Sequence, residues 1–272
     1  RRLTASIQFG VDDAIDGDTV DVSAGTFTEQ VVISEDVLLQ GADGASIIQA
    51  FNAMPSCFSL PSVANNRPVV CGKDTDDVTI TGFTVDGLGL GNTNNRFYGI
   101  AFRNAGGTVQ DSVVRDIRNT PFDGVQHGVG IYAYNDDATA RTLHILDNTI
   151  TGFQKNGITT NASATNPLIV DIQRNTVTGQ GATTITAQNG IQVNTPAGSG
   201  VVADNTISGI AYDNTDSATK WVATSILNFY SDVETTGNVI TGAHMGIYYY
   251  EGRGLIEDND LTIEKIGVYA YG

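Results

Sequence analysis

Two short signatures alternate along this chain, and together they leave few folds open. One is an asparagine followed by Thr-Ile-Thr-Gly or a near relative: DNTITG at 147–152, RNTVTG at 174–179, DNTISG at 204–209, GNVITG at 237–242 and DNDLTI at 258–263. The other opens on Gly-Ile, at Gly99, Gly130, Gly157, Gly190 and Gly246, with Ser225-Ile226 and Gly267-Val268 in the same role. Successive starts lie 31, 27, 33, 35, 21 and 21 residues apart, so a unit of 21 persists while material is inserted into it. That unit is too short for a strand, a helix and two connections. It suits a coil of three short strands stacked on copies of itself, each strand pairing in parallel with its counterpart about 4.7–4.9 Å along the axis.

The coil predicts apolar columns. Ile100, Ile131, Ile158, Ile191, Ile226, Ile247 and Val268 form one, and Ile150, Val177, Ile207, Ile240 and Leu261 another. The recurring asparagine belongs at a tight bend, where it tolerates the left-handed conformation and hydrogen-bonds its copy in the next coil as a ladder. Period-two alternation sends the residues one and three places after each column isoleucine outward. One outward file then reads Ala101, Tyr132, Thr159, Gln192, Leu227, Tyr248, Tyr269. The other reads Arg103, Tyr134, Asn161, Asn194, Phe229, Tyr250, Tyr271. Six of the ten tyrosines share this face. Tyr249, between two outward neighbours, points into the core and needs a partner for its hydroxyl.

At the N-terminus, residues 4–15 carry Ile7, Val11 and Ile15 at helical spacing, as expected of an amphipathic helix that caps an open solenoid end. Strand-like alternation follows in GDTVDVSAGTFTEQVVISEDVLLQGA, and a further turn of coil in DDVTITGFTVDG at 76–87. The order of cap helix, GDTV, AGTF, VTITGFTVDG and then the two repeats resembles the right-handed parallel β-helix superfamily of pectate lyases, polygalacturonases and alginate epimerases. The resemblance covers nearly the whole chain. It implies an all-β fold, a right-handed parallel β-helix with an N-terminal capping helix, in a single domain: cap at 1–16, first coils at 17–98 with an insertion at 51–75, and repeat coils at 99–272.

The balance of 30 acidic to 14 basic residues, net −16, argues against nucleic acid as a partner, since phosphate recognition needs clustered Lys and Arg. No apolar run approaches the roughly 20 residues of a membrane span, so no membrane partner is expected. Cys57 and Cys71 flank a proline-containing stretch; a disulfide there, or two buried thiols, both suit the spacing. A secreted β-helix repeat protein, extracellular or on the cell surface, is the expected setting. No cofactor is expected, and the Asp clusters DDAIDGD, KDTDD and EDND lack the spacing of a defined calcium loop.

In such β-helices the resemblance implies a groove along the Gly-Ile strand. Tyrosines at sheet spacing beside amides suit the stacking of sugar rings and hydrogen bonds to their hydroxyls. The candidate ligand surface is therefore Tyr132, Tyr134, Asn161, Gln192, Asn194, Phe229, Tyr248, Tyr250, Tyr269 and Tyr271; the alternative is that these rings cover one another or lie under loops. Arg103, His127, Asp136, Asp137, Lys155, Lys220 and His244 are the ionisable groups on or beside the groove. A lyase or epimerase needs a cation, a base and a proton donor, and Arg103 or Lys155, His127 and Tyr132 or Tyr134 fill those roles. The chain lacks the Asp-Pro-His-Glu motif of alginate epimerases and the paired Asp and Gly-His-Gly motifs of polygalacturonases. Three functions stay open: a carbohydrate-recognition module, a polysaccharide lyase or epimerase acting on an acidic glycan, and a structural rod. The chain stops after the first strand of a new coil, which suggests a longer parent protein or end-to-end self-association at the C-terminal coil.

Overall fold

The computed structural model describes residues 5–60, 63–213 and 223–272. Within them the chain is a right-handed parallel β-helix, with 24 strands joined in one array and a single helix, Ile7–Asp12, among the described residues. Three sheets run the length of the solenoid. In the Gly-Ile sheet the predicted file from Ile100 to Val268 stands rung on rung and extends back through Val70 and Val31. The Asn-Thr-Ile sheet holds its file too, extended back through Val114, Val85, Ile48 and Phe27. A middle sheet adds Leu39, Ile80, Val109, Ile145, Ile172 and Val202. These side chains are buried from Val31 to Ile247, and each full burial of an isoleucine contributes about 1.5–3 kcal/mol. Large and small alternate where needed: Phe102 fills the space between Gly72 and Ala133, its rung neighbours.

The asparagine ladder forms at the corner between the middle and Asn-Thr-Ile sheets. Asn148, Asn175, Asn205 and Asn238 each donate both their backbone N–H and their side-chain amide to the Oδ1 of the next asparagine, at 2.9–3.0 Å, ending on Asn259. The left-handed residue is not the asparagine, as expected from the sequence, but the one before it: Asp147, Arg174, Asp204 and Asp258 have φ of 54 to 58°. The bend is made there so that the asparagine itself can turn inward.

The Gly-Ile signature has a steric cause. A Cβ on Gly130 would sit 2.6 Å from the Gly157 carbonyl oxygen and 2.6 Å from Ile150 Cγ2. On Gly157 it would sit 2.7 Å from the Gly190 oxygen and 2.5 Å from Val177 Cγ1. The glycines stack on one another at the corner where the Asn-Thr-Ile sheet meets the Gly-Ile sheet, and only a residue without a side chain fits. Because each strand bends at its glycine, the residue before it faces outward as well, against strict alternation. Tyr98, Val129 and Asn156 thereby join the outer face.

The cap helix is shorter than the 4–15 expected. Ile7 and Val11 are buried, whereas Ile15 lies past the helix end at Asp12 and is 70% exposed, its N–H taken by the Asp18 carboxylate at 3.0 Å. Glu29 anchors the helix start, accepting from Ser6 Oγ, Ile7 N and Gln8 N at 2.8–2.9 Å. The Gln8 side chain then accepts from Val32 N at 2.6 Å and donates to Val32 O at 2.9 Å, covering the first strand of the Gly-Ile sheet. The stretch expected as an insertion at 51–75 divides. Phe58–Leu60 pairs antiparallel with the start of Val63–Thr81, while Val70–Gly72 of that same strand is an ordinary rung opposite Val31–Ile33.

Candidate functional site

The outer face of the Gly-Ile sheet carries the predicted files in the predicted register: Ala101, Tyr132, Thr159, Gln192, Leu227, Tyr248, Tyr269, and Arg103, Tyr134, Asn161, Asn194. Phe229, Tyr250 and Tyr271 complete the second. The face divides into three parts.

At the N-terminal end it is covered. The hairpin of Phe58–Leu60 lies over it, tied down by a Cys57–Cys71 disulfide, with Cys71 itself in the outward file. Phe58 stacks on Tyr98 and Tyr132 at 6.2 and 6.4 Å, and the two tyrosines stack on each other at 4.5 Å. Tyr132, expected as an open ligand contact, is therefore only 7% exposed. Burial pushes its phenol up to about 12, against the opposing effect of a hydrogen bond from Asn161. Tyr98 is raised further, by burial and then by Tyr132. The hairpin amide Asn66, fully buried, accepts from the Tyr98 hydroxyl at 3.0 Å and donates to Phe58 O and Val63 O. Closing a loop of 14 residues, the disulfide should stabilise the fold by about 3 kcal/mol. Replacing both cysteines with serine should lower the unfolding free energy by that order and open Tyr98 and Tyr132 to solvent, seen as faster tyrosine modification; unchanged reactivity would mean that the hairpin stays down without its bond.

The middle part is a polar belt. Asn156 Nδ2 donates to Thr159 Oγ1 at 2.7 Å and to Gln192 Oε1 at 3.0 Å, and Asn189 reaches Asn156 Oδ1 at 3.4 Å. Asn161, Gln192 and Asn194 stand half-buried on its outer side. Asn156 and Asn189 were missed by strict alternation; their signal is the Asn-Gly-Ile triplet that occurs at both positions.

The C-terminal part is aromatic and open. Phe229, Tyr230, Tyr248, Tyr250, Tyr269 and Tyr271 contact one another at centroid distances of 5.1–6.4 Å. Tyr269 and Tyr271 remain 40% and 51% exposed. Tyr249 turns inward as expected, donating to Val233 O at 2.6 Å with Thr235 Oγ1 at 2.9 Å.

A cavity of about 180 Å³ opens between the covered part and the belt. Its polar side is Arg96, His127, Lys155, Asn156 and Thr159, and its apolar side is Leu60, Val63, Tyr98, Val129 and Tyr132. Three of the sequence candidates, His127, Tyr132 and Lys155, thus meet. Arg103 does not line the cavity: it pairs with Asp136 at 2.7 Å and lies 5.6 Å from the Tyr134 ring centroid. Arg96, in the insert before its strand, takes the place expected of it. Lys155 is held by the Ala187 carbonyl, and burial lowers its pKa. Burial also lowers that of His127, helped by the Arg96 cation and opposed by Asp123.

The remaining candidates are tied up in structure. Asp137 accepts from Thr139 N and pairs with Arg141, and His244 Nε2 faces Glu264 at 3.3 Å while its Nδ1 accepts from Tyr212 N. Lys220 lies outside the described residues. Among the described residues, no group of three or more His, Cys, Asp or Glu side chains is placed to hold a metal.

No family model matches the chain, and none of the curated proteins is similar to it. Among solved structures it is similar to the GH136 lacto-N-biosidase from Eubacterium ramulus, at 12% sequence identity and a TM-score of 0.47. The match covers 93% of this chain and 63% of that enzyme, so the chain spans less than two thirds of the enzyme's length.

Proposed function

We propose that the outer face of the Gly-Ile sheet is a carbohydrate-recognition groove on a secreted or cell-surface β-helix. The observation that carries this reading is the join, along two continuous files, of an amide belt to an open tyrosine strip: Asn161, Gln192 and Asn194 run into Phe229, Tyr248, Tyr250, Tyr269 and Tyr271. A sugar ring has the matching division. Its C–H face stacks on phenol rings, and its hydroxyls exchange hydrogen bonds with side-chain amides that both donate and accept. The rungs repeat every 4.7–4.9 Å or so, which suits a linear chain of sugars lying along the axis. Extracellular placement is supported by the disulfide, a bond that persists in oxidising compartments.

A lyase or epimerase is the second reading, favoured by the meeting of His127, Lys155, Tyr132 and Arg96 on one cavity. An imidazole kept neutral by burial is the form that accepts a proton.

A glycan array separates binding from its absence. The Tyr250→Ala and Tyr271→Ala variants should bind the retained glycan about tenfold more weakly per ring, since an aromatic contact is worth about 0.5–1.5 kcal/mol beyond its area. Undiminished binding in both variants removes the tyrosine strip from the groove.

A further inference from the structure

The cavity beneath the hairpin has a charge pattern that the tyrosine strip does not account for. In a chain of net charge −16, its walls contain Arg96, Lys155 and His127 and no carboxylate. Neither Arg96 nor Lys155 has an ion-pair partner among the described residues, and unlike exposed cations they sit half-buried on one cavity. The nearest acid to His127, Asp123, is already engaged by Asn119 Nδ2 at 2.7 Å and by Val125 N at 3.0 Å. Half-buried cations without a counter-charge are unfavourable unless something completes them, and an anion in the cavity does so for Arg96 and Lys155.

Size and shape narrow the anion. The opposite wall is apolar, made by Leu60 and Val63 of the hairpin with Val129 and the Tyr132 ring. A cavity of about 150 Å³ is enough for a benzene ring, and this one, at about 180 Å³, has room for one ring and a small charged group. We propose that this cavity is a binding site for a ring carboxylate, its carboxylate held by Arg96, Lys155 and His127 and its ring against Tyr132 and the hairpin. A planar guanidinium is the natural partner for a carboxylate, through two parallel N–H···O bonds, and Lys155 adds a point charge. Two sources supply this chemistry: a uronic acid unit of a glycan, or a free aromatic acid. The site deepens the second reading, which uses the same cavity, and does not depend on the tyrosine strip, whose first rung at Leu227 and Phe229 lies two rungs beyond Thr159 along the outward file.

The test is calorimetric titration of the intact protein with glucuronate, benzoate, glucose and inorganic sulfate. At least one of the two carboxylates should bind, glucose should not, and Arg96→Gln and Lys155→Gln should each weaken binding about tenfold or more. Tyr271→Ala should leave the affinity unchanged, which separates this site from the glycan groove. Preference for glucuronate identifies a glycan source and preference for benzoate a free aromatic acid. The proposal is overturned if neither carboxylate binds up to about 10 mM, if sulfate binds as well as both, or if Arg96→Gln and Lys155→Gln, folded by circular dichroism, bind as the parent does.

Discussion

Asn205→Ala should lower the unfolding free energy by about 3–5 kcal/mol, one of the two largest losses expected from a single substitution in this chain. Asn205 is fully buried. Its Oδ1 accepts from the backbone and side-chain amides of Asn175 at 2.9 and 3.0 Å, and its Nδ2 donates to Ile172 O at 2.9 Å and Asn238 Oδ1 at 3.0 Å. Alanine keeps the backbone bond to Asn238 at 3.0 Å but leaves two groups short, the Asn175 backbone N–H and the Ile172 carbonyl, while Asn175 Nδ2 keeps its bonds to Ile145 O and Gln173 O at 2.7 and 3.0 Å. Each buried polar group so orphaned costs about 1–3 kcal/mol. Asn259 has the same ladder role at a partly exposed rung, where water replaces the lost partner, and Asn259→Ala should cost only about 1 kcal/mol. Chemical denaturation of the two variants is the check. Equal losses would place the cost in the turn geometry, which the two positions share, and not in the buried ladder.

Gly157→Ala should be as damaging for the opposite reason, by adding an atom. The new Cβ would lie 2.7 Å from the Gly190 carbonyl oxygen, 2.5 Å from Val177 Cγ1 and 3.3 Å from Phe153 Cε1. Two of these neighbours are core side chains and the third is backbone in the next coil, so relief requires the coils to move apart and strain their ladder hydrogen bonds. Overpacking of this kind costs typically 1–3 kcal/mol, and about 3 or more is expected where backbone blocks the way. Gly267 holds the same place in the repeat, but its added Cβ would meet nothing nearer than Leu261 Cδ1 at 3.7 Å. Gly267→Ala should stay within about 0.5 kcal/mol of the parent. A comparable loss at both positions would mean that the glycine is required for its backbone freedom and not for close approach.

These two residues also mark how far the sequence could be read. The apolar files, the outward files and the inward turn of Tyr249 were legible because every coil repeats the same constraint, and a single mistaken rung would contradict its neighbours. The asparagine ladder was legible for the same reason, although its left-handed residue was placed one position late. Alternation failed where the chain bends at Gly130 and Gly157: a period of two assumes a straight strand, so the outward turn of Val129 and Asn156 was not legible. The inserts were least legible. Nothing in the spacing of Cys57, Phe58 and Asn66 says that a hairpin folds back over Tyr98 and Tyr132, or that Arg96 and not Arg103 joins His127 and Lys155. Those outcomes depend on contacts between segments that occur once each, and no repeat votes on them.

The unequal inserts have a mechanical consequence. Starts separated by 27, 33, 35 and 21 residues are all carried on rungs of one spacing, so the coils differ in stored chain length while matching in the hydrogen bonds that hold them. The Cys57–Cys71 bond closes a loop within a short span of sequence and ties none of the repeat coils from Gly99 onward to another. A tether pulled from the C-terminal end would peel the coils in order against similar resistance. It would first release short lengths of about 75 Å for 21 residues and then one of about 125 Å for 35, at about 3.6 Å per extended residue. Under such a pull the β-helix would give up little length at the first yields and more as it is drawn further.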